Sequence, residues 1–302
     1  MHAATLLLLT VFFGPAPEAL ERGKRLFETG MDLAGARASL DEAIAADPQL
    51  AEAYLYRALV TLEKAPVDQA RADFDKALSL AQGKTLEEVH RFYGEALADA
   101  GEVAAAEQHY QAALATAPHY ADVLYLYARL LRGQGKVDQA IPMLEEHAKL
   151  EPKGSAHHAL GEIYLGKGEL QRAKTELEQD LAIEPTCYDA RVNLAGLLLD
   201  SGDARGAADE YERSLLDHPA DARALGGLGR AYKQLGDHEL AVGYLRQARD
   251  LAPDDAELDA ALKQARWTQR IRVGWPVALP FAVAAAALAV WIVWDRRARR
   301  SR

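Results

Sequence analysis

One cysteine, Cys187, is all that this 302-residue chain contains. That excludes an internal disulfide and any metal knuckle built from several thiolates. A lone thiol fits a reducing compartment and an exported protein almost equally well. No glycine-rich phosphate loop and no H-E-x-x-H pair occurs. Outside the C-terminal end acidic residues outnumber basic ones. The net charge is −10, yet residues 263–302 carry nine Lys and Arg against one acid, Asp295, which leaves −18 on residues 1–262. A body that acidic repels a phosphate backbone, so nucleic acid is not an expected partner. Glycine and proline, at 22 and 12 residues, stand at ordinary levels and half the chain is apolar, which argues for folded structure rather than disorder.

Repetition is what the chain has in quantity. Alanine recurs at Ala36, Ala70, Ala106, Ala140, Ala173, Ala207 and Ala241, with gaps of 34, 36, 34, 33, 34 and 34 residues. Four places after each stands a large apolar residue: Leu40, Phe74, Tyr110, Leu144, Leu177, Tyr211 and Leu245. Proline keeps the same clock at Pro48, Pro118, Pro152, Pro185, Pro219 and Pro253, with Gln82 in the one missing beat. A small-residue column reads Ala58, Gly94, Ala128, Gly161, Ala195 and Gly229, and the equivalent position of the first repeat is Lys24. Glycines of a turn column follow at Gly101, Gly135, Gly168, Gly202 and Gly236. Small residues let two helix backbones approach, the bulky column fills the space between pairs, glycine ends the first helix, and proline stops the second.

These columns resemble the tetratricopeptide repeat, W-x2-L-G-x2-Y followed by A-x3-F and P. The nearest copies are LGEIYLGKGELQRA at 160–173 and LGRAYKQLGDHELA at 228–241, although no repeat keeps the tryptophan and the first lacks the Leu-Gly pair. The resemblance implies an all-α fold, a right-handed superhelical α-solenoid of helix-turn-helix repeats. Seven are expected, at about 17–48, 51–82, 87–118, 121–152, 154–185, 188–219 and 222–253, with 254–272 as a capping helix and juxtamembrane segment. It also implies that the first helix of each repeat lines a concave groove that binds a protein or peptide. By register the groove residues are Glu52, Leu55, Tyr56, Leu59, Glu88, Arg91, Phe92 and Glu95, then Tyr125, Leu126, Arg129 and Arg132, then His158, Glu162, Asn193, Arg223, Arg230 and Lys233. Apolar anchors rimmed by charge suit peptide capture. Some family members clamp a C-terminal carboxylate; Asn193 and Arg223 fit that clamp, whereas His158, Glu162 and Gly227 do not.

Repeats and anchor use nearly the whole chain and leave no room for a catalytic domain, so neither an enzyme nor a cofactor is expected. His158 and Glu162, at i and i+4, share a helix face beside His157. Spacing sets no third ligand, so solvated polarity is expected there rather than a metal; a metal- or ligand-binding module is the rival reading. Cys187 has no base placed beside it by spacing.

Two apolar stretches address a membrane. Residues 273–294, VGWPVALPFAVAAAALAVWIVW, are 22 residues without a charge. At about 1.5 Å per residue they reach roughly 33 Å, enough to span a bilayer core of about 30 Å as one C-terminal transmembrane helix. Trp275, Trp291 and Trp294 stand at its ends, where amphipathic rings prefer the interface. Within residues 1–16 the run LLLLTVFF at 6–13 has the size of a signal-peptide core. Together with the arginines of the 295–302 tail, it predicts a single-pass protein with repeats outside the cytoplasm and the tail inside. The alternative is a tail-anchored protein with cytoplasmic repeats. A membrane-anchored scaffold that recruits a partner or helps assemble an envelope complex is the expected function.

Overall fold

Each helix pair follows from the same local signals. Of the computed structural model, residues 15–152 and 155–271 are described. Residues 1–14 of the signal-like segment, the 273–294 span and the 295–302 tail lie outside them. Among the described residues no helix is long and apolar enough to cross a membrane.

All regular structure described is α-helical. Two compact units divide the chain, Met1–Pro152 and Lys153–Arg302. The first holds α1 (Pro15–Glu28), α2 (Leu33–Ala46), α3 (Ala51–Leu62), α4 (Val67–Leu80), α5 (Gly83–Asp99), α6 (Val103–Thr116), α7 (Ala121–Gly133) and α8 (Val137–Leu150). The second holds α9 (Ser155–Lys167), α10 (Leu170–Ile183), α11 (Tyr188–Asp200), α12 (Ala204–Asp217), α13 (Ala222–Leu235) and α14 (His238–Leu251), followed by α15 over 256–271. Odd and even helices pair as antiparallel hairpins. The chain is an all-α helical repeat.

The alanine and bulky columns are buried in every repeat, from Ala36 and Leu40 to Ala241 and Leu245. Close approach has a visible cause at the glycines. A Cβ on Gly161 would lie 2.8 Å from Leu177 Cδ2, and one on Gly229 would lie 2.7 Å from Leu245 Cγ. Both distances are shorter than van der Waals contact, so these crossings admit only a hydrogen. At the end of α13, Gly236 takes φ 83° and returns its N–H to the carbonyls of Lys233 and Tyr232, closing the helix with a left-handed cap.

The first repeat corrects the register read from the columns. Its small residue is Gly23, not Lys24: Gly23 is buried, and a Cβ there would lie 2.7 Å from Leu40 Cγ. The turn glycine of this repeat is Gly30, at φ 65°, seven places after Gly23 as in the other glycine-turned repeats. One extra residue between Gly30 and Leu40 shifts the count, and Lys24 lies beside the crossing, half-buried. The 36-residue spacing between Ala70 and Ala106 is taken up by a longer helix, since α5 begins at Gly83, four residues before the expected start of that repeat.

At the C-terminal end of the second unit, α15 lays Leu258, Leu262 and Ala265 against Leu225, Val242, Leu245 and Ala248. Apolar surface that the last hairpin cannot bury alone is covered there, and the outer side of α15 exposes Glu257, Lys263, Gln264 and Arg270 together with Trp267 and Ile271.

Candidate functional site

The first helices of the first unit carry aromatic side chains among charges. On α3, Tyr56 meets Phe27 of α1 edge-on, with ring centroids 6.2 Å apart, and Lys24 Nζ lies 5.0 Å from the Tyr56 ring. Lys24 also pairs with Glu52. Burial is the largest single influence and opposes the Lys24 charge, but the hydrogen bond to Glu52 and the charges of Glu52, Tyr56 and Glu21 together outweigh it, and the pKa is raised. On α5, the Arg91 guanidinium lies 3.7 Å from the Phe92 ring centroid, and Arg91 Nε donates to the Tyr120 hydroxyl at 3.0 Å. Glu95 and Asp122 each lie 3.8 Å from the same guanidinium. Arg91 is therefore held over the Phe92 ring with two carboxylates and the Tyr120 hydroxyl as partners. On α7, Tyr125 tilts against buried His147, whose Nδ1 bonds the Ala121 carbonyl oxygen at 2.9 Å. Arg129 is exposed, 3.9 Å from Asp99. Glu88 stands 3.7 Å from Lys84, and Arg132 closes the last turn of α7.

Three groove candidates are in the core instead. Leu55 is 0% exposed, and Leu59 and Leu126 are buried as well. Leu55 shares an i, i+4, i+7 stripe with Ala51 and Ala58, which faces the packing partners of α3. A family register read by position does not separate that stripe from the exposed one beside it.

In the second unit, Arg223 pairs with Asp189 at 2.6 Å and lies 5.7 Å from the Tyr188 ring centroid. Asn193 is half-buried on α11. Arg230 and Lys233, with Gly196, Leu199, Asp200, Tyr211 and Gln234, line a hollow of about 420 Å³. Lys233 Nζ donates to Gln264 at 2.6 Å, which ties α13 to α15. Gly227 sits where the clamp would need a side chain, and a Cβ there would enter the ring of Tyr211. Its absence from the clamp pattern therefore has a packing cause.

The histidine pair separates. His157 Nδ1 meets Glu176 at 2.8 Å. His158 turns the other way, its Nε2 3.5 Å from Glu162 and its Nδ1 3.2 Å from Asp180 Oδ2 and 3.9 Å from Cys187 Sγ. Burial and then the nearby Asp180 carboxylate push the Cys187 thiol pKa up, only partly offset by a backbone hydrogen bond from Ala190. Asp180 was missed in the sequence, yet a signal existed. Three places after the bulky column runs another buried column: Ala43, Ala77, Ala113, His147, Asp180, Ser214 and Ala248. Asp180 is its one acid, at a position where five of the other six repeats keep alanine or serine and the fourth has His147.

Comparison with known proteins is consistent with this geometry. One sequence profile described as tetratricopeptide repeat matches residues 67–121 and 192–256, a second matches 97–163 and a third 154–187. Together they cover 67–256 except 188–191, well over half of the chain. The chain belongs to the tetratricopeptide-repeat family. Cellulose synthase operon protein C of Escherichia coli (strain K12) is 36% identical over 97 residues, 32% of this chain and 8% of that protein. The Protein CTR9 homolog of Arabidopsis thaliana is 29% identical over 111 residues, 35% of this chain and 10% of that protein. This chain thus spans a tenth or less of the length of either relative. Among solved structures, the C-terminal part of a TPR repeat-containing protein from Cytophaga hutchinsonii superposes with a TM-score of 0.63 at 20% identity, covering 80% of this chain and 99% of that one. YrrB, described as a TPR protein with an unusual peptide-binding site, superposes with a TM-score of 0.58 at 20% identity, covering 63% and 97%. At such identities the likeness shows the fold alone.

Proposed function

We propose that this tetratricopeptide-repeat protein is a non-catalytic, membrane-anchored module that captures a partner protein or peptide on the first-helix face of its first unit. The observation that carries the reading is the row of half-buried aromatics Tyr56, Phe92 and Tyr125: the first two lie beside Lys24 and Arg91, each oriented by its own partners, and the third tilts against His147. Arg91 is the clearest case: its guanidinium is positioned before any ligand arrives, which lowers the ordering cost of binding. The peptide site described for YrrB supports the same use of this fold. The charge-free 273–294 stretch supplies the anchor, and the apolar 6–13 run favours repeats outside the cytoplasm, where an envelope complex is the assembly within reach.

Site-directed photo-crosslinking in native membranes tests this. Probes at Phe92 and Tyr125 should trap a discrete partner, and probes at exposed second-helix positions Asp75 and Gln108 should not. Arg91→Glu in the same background should abolish the Phe92 adduct. Equal yields from all four positions would remove the proposed face.

A further inference from the structure

Asp180 is 2% exposed, and its carboxylate is directed at a histidine and a cysteine rather than at a lysine or arginine. His158, Asp180 and Cys187 come from α9, from α10 and from the residue capping α11, and one potential ligand atom from each lies within 4.8 Å of the other two. We propose that these three residues bind one divalent thiophilic cation, zinc above all, through His158 Nδ1, an Asp180 oxygen and Cys187 Sγ, with water in the fourth position. The inference is independent of the peptide-binding face.

Two of the three separations fit such an ion, and the third, between the Asp180 oxygen and Cys187 Sγ, is within 4.8 Å. Ligand bonds of about 2.0–2.3 Å at tetrahedral angles place nitrogen and oxygen about 3.3 Å apart, and nitrogen and sulfur about 3.6 Å apart. The structure has 3.2 Å and 3.9 Å. The direction of approach separates this arrangement from a nucleophile with its base. In such a triad the cysteine and the acid use opposite ring nitrogens. Here both address Nδ1 of His158, as ligands do when they converge on one ion. The other nitrogen, Nε2, has the Glu162 carboxylate 3.5 Å away. A carboxylate behind the imidazole is the usual outer partner of a metal-bound histidine, because it fixes the proton on the far nitrogen and leaves the near lone pair for the metal. Charge agrees as well. One carboxylate and one thiolate balance a divalent ion, which offsets the cost of keeping Asp180 from water. The proton of the Cys187 thiol leaves to solvent on binding. The ion would tie the fifth repeat to the start of the sixth.

The full chain, purified in detergent without a polyhistidine tag and stripped of metal, is titrated with Co²⁺. One equivalent should produce thiolate-to-cobalt charge-transfer absorption together with the strong visible bands of four-coordinate cobalt, and Zn²⁺ should bleach both. Cys187→Ser should remove the charge-transfer band. His158→Gln and Asp180→Asn should weaken binding at least tenfold, and Glu162→Gln about 10–100-fold as an outer partner. His157→Gln should leave binding unchanged, because that ring is held by Glu176. Zn²⁺ should also protect Cys187 from alkylation. The inference is overturned by absent charge-transfer absorption, by its persistence in Cys187→Ser, or by equal losses in His157→Gln and His158→Gln. If Asp180→Asn fails to fold, the Cys187→Ser and His157→Gln pair decides, since both change side chains with solvent access.

Discussion

Adding a single methyl group to two glycines of the last repeat should move stability in opposite directions. Gly229 in α13 and Gly243 in α14 are both helical, and alanine is the better helix former by about 0.8–1 kcal/mol. At Gly243 a Cβ meets nothing within 4 Å, so Gly243→Ala should stabilise by about 0.4–1 kcal/mol. At Gly229 the same atom would stand 2.7 Å from Leu245 Cγ, 3.0 Å from Leu245 N and 3.2 Å from Ala241 O. Two of these three are backbone atoms of the partner helix, so no rotamer change relieves them and the helices must move apart. Overpacking of that kind costs about 1–3 kcal/mol. The propensity gain is common to both variants and cancels in the comparison. Gly229→Ala should therefore lie about 1–3 kcal/mol below Gly243→Ala, the overpacking cost alone. Urea unfolding followed by far-ultraviolet circular dichroism measures it, provided the slopes match. Shifts of equal size and sign would refute the claim that Gly229 is a close helix contact.

Ala173, fully buried opposite α9, should lose about 1–3 kcal/mol on Ala173→Leu by the same overpacking, read as a lower unfolding midpoint. An unchanged midpoint would show that the column is not packed as described. His109 is held at about 4, first by burial and then by His90, whose Nδ1 is 3.0 Å from its own. Burial lowers His90 too, and the nearby Asp75 only partly opposes the shift on His109. Both groups thus have folded pKa values below their unfolded ones, so the unfolded state takes up protons first as pH falls. Their contribution is intact above the unfolded value of 6.5 and is lost on descending toward 4. Melting at pH 7 and pH 5, with His109→Gln as comparison, should show a drop in the parent that the variant reduces; parallel drops would sink this assignment. Leu7→Arg combined with Leu8→Arg should abolish export, because charges in so short an apolar core prevent insertion. Repeats still open to added protease in that variant would mean that residues 6–13 are not the signal.

The sequence by itself determined the repeating hairpin. Every copy must present the same small and bulky residues to the same kind of neighbour, so Ala36 through Ala241 and Leu40 through Leu245 recur on one clock and are buried on one clock. What it left open lies at the exceptions. One added residue after Gly30 moved the close contact from Lys24 to Gly23, which no column count detects without knowing where the turn ends. Leu55 and Leu59 share a helix with Tyr56, and only packing decides which stripe is core and which faces solvent. Asp180 and Cys187 stand 22 and 29 residues from His158, distances that local spacing cannot interpret. Stacking of three successive helices brings them together, because the pitch of a repeat places equivalent positions side by side whatever residues occupy them. Periodicity is a property of neighbours along the chain; convergence on a point in space belongs to the tertiary structure.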